Sequence, residues 1–105
     1  MPWFITAIVG KEISERTSYY HPKEKRTFGF FNDPVECKKA VVENLGNMHE
    51  FLYNYIVVEK IPEGIHSRVE ESYWWKWSCD QPIPRWEPIP EKPEQFEGIT
   101  NWALG

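Results

Sequence analysis

Residues 3–9, Trp-Phe-Ile-Thr-Ala-Ile-Val, are rich in β-branched and aromatic side chains and predict a strand, closed by Gly10 and Lys11. Residues 12–26 are polar and charged around Tyr19-Tyr20-His21-Pro22, and read as a long hairpin loop. Residues 26–31 predict a second strand, in which Gly29 permits a bulge or the close approach of a ring. A helix follows. Asp33 suits the N-cap, Pro34 the first helical position, and Glu36 the carboxylate of a capping box. Cys37, Ala40, Val41 and Leu45 recur at helical spacing, and Asn44-Leu45-Gly46 supplies a stop. Asn47 and Glu50 predict a short second helical turn through Phe51 and Leu52.

The strongest strand pattern is residues 55–61, Tyr-Ile-Val-Val-Glu-Lys-Ile. Its centre is apolar at successive positions, which predicts an interior strand covered on both faces. Pro62-Glu63-Gly64 makes a turn, and residues 70–77 predict a further extended segment. Residues 82–93 carry five prolines, at 82, 84, 88, 90 and 93, and are expected to run extended over the surface, neither helix nor central strand. The apolar tail, residues 98–105, is expected to dock on the body.

The order strand, strand, helix, strand, strand predicts an α+β domain with a small, mostly antiparallel sheet and one main helix on one face. The length of 105 residues fits a single domain. One helix covers one face, so the other needs the proline-rich segment, the tail or a second subunit; this is the argument for a homo-oligomer.

Composition narrows the function. An apolar content of 41% excludes a disordered chain. A net charge of −4 argues against general binding to nucleic acid or anionic membranes, because such binding rests on Lys and Arg neutralising phosphates. No run approaches the roughly 18 apolar residues of a membrane span. The N-terminus lacks the basic start of a signal peptide, so the expected location is the cytoplasm, with Cys37 and Cys79 as reduced thiols.

No catalytic motif emerges. His21, His49 and His66 show no metal-ligand spacing, and carboxylates such as Glu63, Glu70 and Glu71 read as a solvated acidic face. The serines lack a nucleophile elbow, and no phosphate-binding glycine loop is present. The expectation is a non-enzymatic protein without cofactor or metal.

Tryptophan is the exception. Six occur, three within Tyr73-Trp74-Trp75-Lys76-Trp77. Packing against core and prolines is one account. The other is a stacking platform for a base, worth about 1–3 kcal/mol per base. A phosphate-bearing ligand also needs cations, and Lys25 and Arg26, near Tyr20, form part of the densest basic group. Arg85, beside Trp86, is a candidate lid. The candidate ligand-binding set is therefore Tyr20, Lys25, Arg26, Trp74, Trp75, Trp77 and Arg85.

Residues 4–11 (Phe-Ile-Thr-Ala-Ile-Val-Gly-Lys), the aromatic strand before a capped helix, residues 53–64, Trp74-Trp75-Lys76-Trp77 and Lys92-Pro93-Glu94 together resemble a family of small proteins of gut Firmicutes and their phages, a family with no assigned activity. A phage setting implies a counter-defence role. Three expectations follow: a protein that sequesters a small nucleotide-like signal on the aromatic and basic residues, a protein–protein inhibitor or adaptor acting on a host defence protein through a Trp/Tyr-rich acidic surface, or a structural module whose aromatics are internal.

Overall fold

The computed structural model describes residues 2–16, 23–43, 53–65, 67–78 and 84–104. The expected helix stop at Gly46, the helical turn through Phe51 and Leu52, and Tyr20 lie outside them.

The first strand, β1, spans Trp3–Ile8. A short helix α1 follows at Lys11–Arg16, then strand β2 at Lys25–Phe31. Helix α1 stands where a polar loop was expected. It is too short for an apolar repeat, and among its described side chains Ile13 anchors it in the core. Register between β1 and β2 shifts between Ile5 and Thr6, which pair with Gly29 and Thr27. Phe28 is thus the extra residue of a bulge beside Gly29.

Helix α2 spans Pro34–Val42, and the Asp33 side chain caps it by accepting from the Val35 N–H at 2.9 Å. Cys37, Ala40 and Val41 form its buried stripe, as their spacing predicts. Strands β3 (Tyr55–Lys60) and β4 (Glu71–Ser78) carry the apolar run and the tryptophan cluster. Strand β5 (Arg85–Ile89) arises inside the proline-rich stretch, and a 3₁₀ turn at Glu94–Phe96 follows.

The sheet is antiparallel, with the order β2-β1-β3-β4-β5. It has five strands where four were expected. Pro88 is compatible with β5 because that strand is at the edge, where the missing N–H removes no bond from a second neighbour. Strand β3 lies at the centre, and every residue in it except Lys60 is buried.

Strand alternation sorts the core into two clusters. On one face, α2 packs over Trp3, Ile5, Ala7, Ile56, Val58, Trp75 and Trp86. On the other, Ile8, Tyr55, Val57 and Trp74 are covered by Phe96 and Trp102 of the C-terminal segment. The face that the helix leaves bare is thus covered by the chain itself.

Candidate functional site

The pleat divides the sequence-predicted set. Successive side chains of a strand point to opposite faces. Trp74 therefore lies opposite Val57 and Ile89 on the C-terminal face, while Trp75 lies opposite Ile56 and Pro88 on the helix face. They are 4% and 5% exposed, so neither ring offers an open stacking surface. Trp77 meets Trp86 edge-on at 5.2 Å between ring centroids. Trp74 stacks on Phe96 at 5.6 Å and meets Trp102 edge-on at 6.4 Å.

The cations are divided as well. The Lys25 ammonium donates to the Trp102 carbonyl. Arg26 places its guanidinium 5.1 Å from the Phe28 ring centroid. Arg85 pairs with Glu87 at 3.3 Å on the edge strand β5. Trp74 and Lys25 are brought to the same C-terminal segment on one face of the sheet, from strands β4 and β2; the other described candidates do not join them.

Two polar arrangements went unnoticed in the sequence. The first is Glu59, 2% exposed in the middle of the sheet. Both its carboxylate oxygens accept from the Trp102 N–H at 3.0 Å, and Oε1 also accepts from the Ala103 N–H at 3.1 Å. Burial pushes its pKa up to about 7, against the opposing pull of those N–H groups and of the Lys25 and Lys92 charges. A charged residue in an apolar run was the available signal, but only the folded chain shows what it holds.

The second is a network that ties α1 to β3 and to the 3₁₀ turn. Glu12 accepts from Asn54 Nδ2 at 2.9 Å, from Gln95 Nε2 at 3.0 Å and from the Tyr55 hydroxyl at 3.4 Å. Asn54 Oδ1 accepts from the Gly10 N–H at 2.7 Å. Burial raises the Glu12 pKa, but the bonds from Asn54 and Gln95, its backbone bond and the Lys76 charge outweigh it and leave the carboxyl below its ordinary value. Burial and the neighbouring Glu12 push the Tyr55 hydroxyl up to about 12. Tyr55 is thus a neutral donor at physiological pH, suited to holding structure rather than to taking a proton.

Among the described residues, two grooves stand out on the surface. One, of about 510 Å³, is lined by Pro2, Phe4, Ile61, Pro62, Glu63, Gly64 and Leu104. The Phe4 ring lies 5.9 Å from that of Phe30, which is 62% exposed and extends the apolar surface along β2. Ile65 and Leu104 are also exposed, at 91% and 62%. The other groove, of about 420 Å³, is polar and includes Arg68, Ser72, Lys92, Gly98 and Thr100, with Glu70 and Glu71. Glu70 is engaged by Lys60 at 3.4 Å, and Glu71 accepts from the Tyr73 hydroxyl at 3.1 Å. Arg68 makes no ion pair among the described residues.

Among the described residues no group of three or more His, Cys, Asp and Glu is arranged to hold a metal ion. Cys37 is buried, and burial pushes its thiol up to about 11, which keeps it protonated. No described helix is long and apolar enough to cross a membrane. No protein family, curated protein or solved structure matches the chain.

Proposed function

We propose that this protein acts by binding, without chemistry of its own, and that its main target is another protein held in the apolar groove. The observation that carries this reading is the continuity of Pro2, Phe4, Ile61, Pro62 and Leu104 with the exposed Phe30. A contiguous apolar patch exposed to water is the usual mark of a protein contact. The net charge of −4 favours a basic partner by steering its approach. In the phage setting that the resemblance implies, this partner is a cytoplasmic host defence protein, and binding blocks it.

The test uses two folded variants as bait with purified candidate defence proteins. Phe30→Ser combined with Leu104→Ser removes two exposed side chains and should weaken binding at least tenfold. Arg68→Ala should leave it unchanged. Equal binding by all three baits defeats the assignment of the groove.

A second reading keeps a small nucleotide-like ligand but moves it from the tryptophans to the polar groove. Arg68 favours it: a cation without an ion pair among the described residues, beside Ser72, Thr100 and a Lys92 that pairs with Glu97 at 3.7 Å, suits a phosphate. Cyclic dinucleotides, cyclic oligonucleotides and ADP-ribose derivatives are the panel to screen by thermal shift. A true ligand at a hundred times its dissociation constant stabilises the fold by about 2.7 kcal/mol. Arg68→Ala should abolish that shift, and a flat panel removes this reading.

A further inference from the structure

The C-terminal segment, residues 98–104, forms part of both grooves. Gly98, Ile99 and Thr100 line the polar one, and Leu104 lines the apolar one. Between these walls the segment is held at a few points. Asn101, buried, donates to the Ser67 carbonyl at 2.9 Å and accepts from the Leu104 N–H at 2.8 Å. Thr27 donates to the Ala103 carbonyl at 3.3 Å, and Lys25 to that of Trp102. A further tie is Glu59, whose carboxylate takes the N–H groups of both Trp102 and Ala103.

The closed arrangement carries two internal costs. The indole N–H groups of Trp74, beneath this segment, and of Trp102, within it, are buried without a hydrogen-bond partner among the described residues. An unsatisfied buried donor loses its water without compensation. The Glu59 charge is likewise removed from water, and burial of a carboxylate disfavours its ionised form. Lifting the segment would return the Trp102 indole and the Glu59 carboxyl to water, whereas Trp74 stays stacked on Phe96.

We infer that residues 98–104 are a strap whose closure over the sheet is set by the protonation state of Glu59, so that one buried carboxyl shapes the walls of both grooves. Among the described residues, the groups that face Glu59 are few. Lys25 approaches from β2 and Lys92 from the stretch after β5, and both favour the ionised form. Its cross-strand neighbours are Phe4 on β1 and Ser72 on β4, neither of which titrates in this range. The strap itself presents the backbone N–H groups of Trp102 and Ala103.

The sign follows from linkage. With the strap closed, burial holds the Glu59 pKa near 7; with the strap lifted, the carboxyl returns to its ordinary value of 4.5. Opening therefore releases a proton between these values. Strap stability is fully present below about 4.5 and is lost as pH rises through about 7, with the opening constant growing up to about tenfold per pH unit inside the window and levelling above it. The effect on partner binding through Leu104 rests on the binding role proposed above; the latch itself does not.

The experiment is amide hydrogen exchange of Trp102, Ala103 and Leu104 in the free, full-length protein, normalised for intrinsic exchange, from pH 4.5 to 8.5. In the wild type, opening should rise steeply to near pH 7 and then flatten, while the amides of β3 stay better protected. Glu59→Gln, which keeps an acceptor for the strap but cannot ionise, should show no such rise. A flat wild-type profile, or the same rise in Glu59→Gln, overturns the latch. Should the variant fail to fold, a carboxyl NMR titration of wild-type Glu59 decides: a midpoint near 7 supports the latch, and one in the ordinary carboxylate range overturns it. Neither readout involves a partner, so failure here leaves the binding proposal standing, and failure to bind leaves the latch standing.

Discussion

The two faces of the sheet are covered in different ways. The helix face is sealed by α2, whose buried stripe of Cys37, Ala40 and Val41 meets a layer that includes Trp3, Ile5, Trp75 and Trp86. Its energy is mainly apolar contact. The opposite face is sealed by a 3₁₀ turn and the strap, with two large rings, Phe96 and Trp102, on Trp74 and Tyr55. That cover depends on side chains reaching backbone groups: Glu59, Asn101, Lys25 and Thr27. It also encloses both orphaned indole donors and the buried carboxyl. A helix brings its own backbone bonds to the interface, whereas an irregular segment must borrow them from the sheet. The helix face is accordingly the stable half, and the strap face the conditional one.

The helix face is the more sensitive of the two to substitution. Trp75→Ala leaves a cavity under α2 and should lower global stability by about 3–5 kcal/mol, read by chemical denaturation. A loss below about 1 kcal/mol would show that this face is not the main store of stability. Gly10→Ala is expected to cost about 1–3 kcal/mol, because a Cβ there would stand 2.5 Å from the Tyr55 ring and from Glu12 Oε2. Its effect tests whether the corner joining β1, α1 and β3 is as tight as its distances state.

Asp33→Ala removes the N-cap of α2 and should cost about 1 kcal/mol, with Asp33→Asn largely retaining the cap. A helix locked entirely by its apolar stripe would not register this change. The smallest expected effect belongs to the strap face. Trp102→Phe loses part of the indole's burial but removes one unpartnered N–H, itself a cost of about 1–3 kcal/mol, so the two terms nearly offset. A loss as large as that of Trp75→Ala would mean that the two faces are built alike.

Much of the helix face was legible. The Asp33-Pro34 start, the spacing of the buried residues in α2 and the double-sided apolar character of β3 are local signals, and each reappears in the fold. The strap face was legible only as an apolar tail that had to dock. Helix α1 was missed because a six-residue element with one buried apolar residue has no periodicity to read. Strand β5 was missed because prolines argue against a strand, and only its edge position removes the objection. The division of Trp74 from Trp75 was implicit in strand alternation, since neighbours in a strand cannot share a face.

The α+β class, the capped helix, the central strand and the need to cover the sheet face that the helix leaves bare were all readable from the amino-acid sequence. These depend on periodicity, propensity and capping, which act over a few residues. The tertiary structure alone decided which ring meets which, that Glu59 rather than a surface carboxylate is the unusual acid, and that the C-terminal segment joins two grooves. Glu59 and Trp102 stand 43 positions apart in the chain. A contact over that separation is selected by the closure of the whole sheet, and no local pattern encodes it.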